Sequence, residues 1–168
     1  MQRRTPLPRF LGTALLVVAG LALLAGCSPK RIPGLSIPVD DNEDNRAIVE
    51  LLKQYAAAFE AKDLDKLVAL AADDYYETAG TPDTGDDYNR DGLQTKMTEH
   101  FKSIDKPSVS ITLKALKVDK DTASVDYQYV CRYLMKLPSG ERWQVTDELA
   151  RMELRRVEKH VWKVTRGL

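Results

Sequence analysis

The sequence predicts an α+β fold, with three N-terminal helices packed against a curved, mostly antiparallel sheet. Between Ile48 and Phe101 apolar residues recur three and four positions apart, the period of a helix buried on one face. From Val109 onward they recur every second position, the period of a strand covered on one face. The change falls at Lys106 and Pro107, and short clusters of Gly, Pro, Asp and Ser separate the later runs. Helices first and strands afterwards give a segregated architecture rather than an alternating one.

Residues 1–26 stand apart from that domain. Arg3, Arg4 and Arg9 precede an apolar run from Phe10 to Gly26 that holds no charged residue, the order of a signal segment. Leu24, Ala25, Gly26 and Cys27 follow directly and resemble the lipobox of bacterial lipoproteins. That resemblance implies a mature chain beginning at an acylated Cys27, held in a lipid bilayer and facing the periplasm. Ser28 and Pro29 place no acid beside the cysteine, which by the same resemblance implies sorting to the outer membrane, with inner-membrane anchoring as the alternative. Removing three arginines from 25 basic residues leaves 22 against 25 acidic, a net charge of −3. So balanced a chain lacks the basic potential of a nucleic-acid binder. Cys131 is then without a protein partner and reads as a small core residue.

Residues 27–45 carry Pro29, Pro33 and Pro38 and end in Asp40, Asp41, Glu43 and Asp44, a composition expected of a flexible tether. The domain is expected over 46–168. Ile48, Leu51, Leu52, Tyr55 and Phe59 form the stripe of a long first helix, capped by Asp44 or Asn45. Asp63 is expected to cap a shorter second helix carrying Leu64, Leu67, Val68 and Leu70. Tyr75 and Tyr76 mark a short strand, and Gly80 to Asp87 a connection at a pocket edge. Leu93, Met97 and Phe101 give the third helix after Asp91 and Gly92.

Four longer strands follow. Val109, Ile111 and Leu113 define one face of the first; Ala123, Val125, Tyr127, Tyr129, Cys131 and Tyr133 define one face of the second. Pro138, Ser139 and Gly140 turn the chain into the strand with Trp143 and Val145, and His160, Trp162 and Val164 mark the last.

The stretch from Tyr55 to Asp74, YAAAFEAKDLDKLVALAADD, together with Gly92, Leu93 and the terminal Trp162, Lys163 and Val164, resembles the nuclear transport factor 2-like superfamily, which includes SnoaL-like and ketosteroid-isomerase-like domains. The resemblance implies a cone-shaped fold with a pocket between curved sheet and helices. In the ketosteroid-isomerase branch a pocket carboxylate moves a proton while an oxyanion hole holds the enolate. Tyr55 matches the oxyanion-hole tyrosine, but the general-base position falls on Ala79, which carries no proton-transfer group.

Residual pocket candidates are Tyr55, Phe59, Asp74, Tyr76, Asp147 and Arg151. Each has a plainer structural role: core packing for Tyr55 and Phe59, capping for Asp74, strand packing for Tyr76, and a solvated rim for Asp147 and Arg151. His100 and His160 are isolated and form no metal signature, and no phosphate loop or nucleophile elbow is present, so the sequence leaves any cofactor unknown. The leading expectation is therefore a membrane-anchored, noncatalytic domain that binds an envelope protein or a small apolar ligand. The first alternative is a small-molecule isomerase, dehydratase or hydrolase. It requires a deep pocket into which Tyr55 and at least one acid converge. The second is an assembly factor using the outer sheet face, as a homodimer by family resemblance.

Overall fold

The structure is a computed structural model and describes residues 30–78 and 84–168. The expected signal segment, Cys27 and Ala79 lie outside the described residues. Three helices, α1 (Glu43–Glu60), α2 (Leu64–Leu70) and α3 (Arg90–Ser103), precede a four-stranded antiparallel meander. Its strands are β3 (Ile104–Asp119), β4 (Thr122–Leu137), β5 (Gly140–Glu158) and β6 (Val161–Arg166), in the order β3-β4-β5-β6. A two-stranded ribbon of β1 (Tyr76–Glu77) and β2 (Tyr88–Asn89) lies between α2 and α3. The expected α+β architecture is present: helices close one side of a curved sheet to make a cone.

Helix caps follow from short polar side chains. Asn42, rather than the expected Asp44 or Asn45, is the cap: it accepts from the Asn45 N–H at 2.8 Å, so α1 begins at Glu43. Asp63 caps α2 as expected, accepting from the Lys66 N–H at 3.1 Å. Asn89 caps α3 by accepting from the Gly92 N–H at 3.0 Å.

Residues from Lys30 to Asp41, expected as tether, instead form a strap packed on the domain. Arg31 bridges Asp40, the Ile32 N–H donates to the Val39 carbonyl at 2.9 Å, and the Ser36 hydroxyl donates to the Leu113 carbonyl. Val39 is buried, and Ile32, Leu35 and Ile37 pack against the core. Ile32 and the alternating Leu35, Ile37 and Val39 supply an apolar side that the proline and acid content conceals.

The core is one cluster between sheet and helices. Ile48, Leu52, Tyr55 and Phe59 meet Leu67 and Leu93 and the inward face of β4, including Val125, Tyr127 and Cys131. Met152, Leu154, Trp162 and Val164 extend it across β5 and β6. Two register shifts bend β3, between Asp105 and Ser108 and between Leu113 and Ala115. Pro107, which has no N–H for the ladder, sits in the first of them beside Lys106 at φ 48°. Such bulges sharpen twist and curvature, which lets strands of 16 to 19 residues wrap the helices.

Candidate functional site

A cavity of about 300 Å³ opens between α1, α3 and the concave face of β4 and β5. Helical spacing brings Tyr55 and Phe59 to its wall from α1, and Met97 and His100 from α3. Strand alternation brings Tyr129, Cys131 and Tyr133 from β4, and Thr146 and Glu148 from β5. Leu168 completes the lining. Another groove of about 370 Å³ lies outside the cone between the strap, α1 and β3; its lining is largely apolar, and Lys53 is its only charged group.

The rings in the cone interlock. Tyr55 lies 6.2 Å from Tyr129 between centroids, and Phe59 lies edge-on to Tyr129 at 6.2 Å and to Phe101 at 5.3 Å. His100 meets Phe59 at 5.8 Å and Tyr133 edge-on at 6.1 Å. Glu148 stands opposite Tyr129 in the β4–β5 register, so the carboxylate side chain leaves the same face as the tyrosine. Burial comes first in pushing the Tyr55 hydroxyl far above its ordinary value of 10.0, and neighbouring Tyr127, Cys131 and Glu148 act in the same direction. Tyr129 is raised similarly, by burial and then by Tyr55. Both phenols therefore stay protonated at neutral pH and keep a proton to donate. Burial holds the His100 imidazole below its ordinary value of 6.5, so it is neutral at pH 7 and able to accept a proton. Burial also raises the Cys131 thiol, which disfavours the thiolate.

Of the expected pocket residues, Tyr55 and Phe59 line the cavity and the other four do not. Asp74 is exposed and pairs with Arg155 through contacts of 2.5 and 2.8 Å. Tyr76 is 49% exposed and donates to Asp87 at 3.0 Å, while its neighbour Tyr75 is the buried member of the pair. Asp147 and Arg151 do share a face, but it is the convex one. There Asp147 accepts from Gln128 at 2.8 Å and Arg151 holds Asp126 at 2.5 and 2.9 Å. The parity of β5 explains the error: Met152 and Leu154 are buried, so even positions face the cone and the inward acid is Glu148. The same parity leaves Trp143, Val145 and Leu149 exposed on the convex face.

Sequence reasoning also passed over His100. It lies three residues after Met97 and seven after Leu93, on the stripe that faces the sheet, so its placement was readable. His160 lies elsewhere. It sits in the β5–β6 turn, with Nδ1 3.0 Å from Asp44 and Nε2 2.7 Å from Glu43 at the start of α1. Among the described residues no group of three or more His, Cys, Asp or Glu side chains is arranged to hold a metal ion.

Residues 52–160 match the SnoaL-like domain family, and the chain belongs to it. No curated protein matches the sequence. Among solved structures, a ketosteroid isomerase-like protein from Erwinia carotovora atroseptica is 19% identical, over 76% of this chain and 95% of that one, with a TM-score of 0.63. A provisionally named aromatic ring hydroxylase from Novosphingobium aromaticivorans is 24% identical, over 74% and 86%, with a TM-score of 0.61. A hexachlorocyclohexane dehydrochlorinase is 16% identical, over 73% and 81%, with a TM-score of 0.61. These likenesses show the nuclear transport factor 2-like cone. They also correct the expectation that favoured a domain without chemistry, because similar cones are carried by proteins named for reactions on small molecules.

Proposed function

We propose that the chain is an acid–base enzyme that isomerises or dehydrates a small cyclic carbonyl compound inside the cone. The observation that carries this reading is the convergence of Tyr55, Tyr129, His100 and Glu148 on one cavity. A neutral imidazole and a carboxylate flank two phenol donors, the set needed to move a proton beside a carbonyl.

In the proposed sequence His100 takes a proton from the carbon next to the carbonyl. The C–H electron pair moves into the carbonyl, and the Tyr55 and Tyr129 hydroxyls donate hydrogen bonds to the oxyanion that forms. The imidazolium then returns the same proton, either to another carbon, giving the isomer, or to a departing hydroxyl, giving water and the unsaturated ketone. Glu148 favours the transient imidazolium electrostatically and orients a substrate hydroxyl by accepting its hydrogen bond. Aromatic walls from Phe59, Tyr133 and Tyr129 suit a flat ring.

The test is α-proton exchange in deuterium oxide, followed by NMR with cyclohexenone and 2-tetralone as probes. The protein should accelerate exchange, with His100→Gln and Tyr55→Phe each losing about tenfold or more. Exchange at the buffer rate for both ketones, with folded protein, refutes the reading.

The sequence supports a second element, attachment of this enzyme to a membrane through acylated Cys27. Lys30, where the packed strap begins, is three positions beyond that cysteine, a reach of roughly 10 Å at full extension. The domain would thus ride against the lipid surface rather than swing on an 18-residue tether. Fatty-acid labelling of whole cells should mark the wild type and not Cys27→Ala; equal labelling of both refutes the attachment.

A further inference from the structure

Beyond Arg166 the chain leaves the ladder of β6, yet its next two residues are tied down by side chains from three directions. The Gly167 N–H donates to Glu77 Oε2 at 2.9 Å, and the Tyr127 hydroxyl donates to the Gly167 carbonyl at 3.5 Å. The Leu168 N–H donates to the Tyr75 hydroxyl at 3.2 Å, which in turn lies 3.4 Å from the Leu168 carbonyl oxygen. Glu77 is itself fixed, since Oε1 accepts from the Thr78 N–H at 3.1 Å. Gly167 has φ 93°, and a Cβ there would stand 2.1 Å from the Arg151 carbonyl oxygen. Backbone geometry and four hydrogen bonds therefore set where Leu168 goes. Its side chain is half-buried and lines the cone cavity together with Tyr55 and Glu148.

We propose that Leu168 is the end wall that limits how long a molecule the cone accepts, and that Glu77 is the positioning residue that holds this wall through the Gly167 N–H. A branched apolar side chain placed at a cavity wall excludes volume and offers no proton, so its effect is on substrate size and not on the chemical step. Glu77 is not among the residues that line the cavity; it acts through the Gly167 N–H and through the Tyr75 hydroxyl, 3.5 Å from its Oε2, which holds Leu168 in turn. The inference rests on reading the cone as the substrate chamber, and its test separates the two.

The probes are 4-ethylphenol and 4-pentylphenol, titrated against the full chain by isothermal calorimetry, with Thr146→Trp as the variant that fills the cone. Wild type binds the shorter phenol. Leu168→Ala gains roughly tenfold for the longer one, the affinity carried by about two buried methylenes, and is unchanged for the shorter. Glu77→Ala reproduces that gain. Glu77→Gln, which keeps one acceptor oxygen, restores part of the wild-type discrimination and stands in if the alanine variant does not fold. Phenols that bind, lose binding in Thr146→Trp, and show the same length dependence in wild type and Leu168→Ala overturn the proposal and leave the chamber reading standing. Absence of binding by both wild type and Leu168→Ala overturns the chamber reading and the proposal with it.

Discussion

Removing the Asp44 carboxylate should unfold the domain more readily than any other single polar change near α1. From the first turn of that helix its side chain receives the Arg156 guanidinium at 2.9 Å, the Trp162 indole N–H at 3.2 Å and His160 Nδ1 at 3.0 Å. Hydrogen bonds to a charged group contribute about 1.5–3 kcal/mol each, and the neutral indole bond about 1 kcal/mol. The carboxylate remains 21% exposed, and its three donors share one site, so the contributions do not add in full. We expect Asp44→Ala to cost about 3 kcal/mol. For a domain of this length that lowers the thermal midpoint by about 10 °C. Asp44→Asn, which keeps the shape and one acceptor, should lose about half as much. Burial by itself would raise the Asp44 carboxyl, but hydrogen bonds from His160 and Trp162 and the Arg156 charge outweigh it and hold it below 3.8. The staple is therefore fully present above pH 3.8 and is lost as pH falls through the lower folded value. Circular dichroism melts at pH 7 and pH 3 should show the wild-type advantage over Asp44→Asn shrinking in acid. A midpoint change below about 2 °C at pH 7, or an advantage that grows in acid, refutes this reasoning.

Other outcomes follow from the same geometry. Exchange activity should fall on an acid limb below pH 6.5 as His100 protonates, and His100→Gln should abolish that limb in a pH–rate profile. Glu148→Gln should lower the turnover of hydroxylated ketones more than that of cyclohexenone, read from relative initial rates. Gly167→Ala, forced into φ 93° and against the Arg151 backbone, should lose about 2 kcal/mol or more in urea unfolding. It should also bind 4-pentylphenol more tightly, since Leu168 is displaced. Asp74→Asn, Asp147→Asn and Arg151→Lys should leave exchange rates unchanged, because those side chains sit outside the cone.

How far the sequence discloses this molecule depends on which pattern carries the information. The stripe through Ile48, Leu52, Tyr55 and Phe59 has a single buried solution, so helix α1 and its contribution to the cone are legible. The β4 series from Ala123 to Tyr133 is equally one-sided. Strand β5 is not: Val145 and Leu149 on odd positions compete with Ala150, Met152 and Leu154 on even ones. Only the last two, buried, decide the face. Choosing the odd set put Asp147 and Arg151 in the pocket and left Glu148 out. The strap misled for a different reason. Its prolines and acids have the composition of a linker, while burial of Val39 and the Ser36 contact with β3 depend on tertiary partners no local pattern contains. Leu168 belongs to no periodic segment, and its position is set by Glu77, Tyr75 and Tyr127, far away in sequence.

Those long-range ties bear on function because the cone is held from both ends of one helix. At its start, Asp44 joins α1 to β5, to β6 and to the turn between them. At its close, Glu60 accepts from the Val109 N–H at 2.6 Å, and the Lys62 ammonium just beyond donates to the Ile104 carbonyl at 2.9 Å. Tyr55 and Phe59 lie between these anchor points, so their distance from Tyr129 on the facing sheet is fixed before any ligand arrives. A phenol donor is useful to a forming oxyanion only if it does not have to move to meet it. Loosening either anchor should then slow the chemical step by letting the Tyr55 hydroxyl shift, although the hydroxyl itself is still present. Glu60→Ala, a change outside the cavity lining, should lower kcat for ketone exchange with little change in KM. A fall confined to KM would mean that α1 merely encloses the substrate and does not orient it.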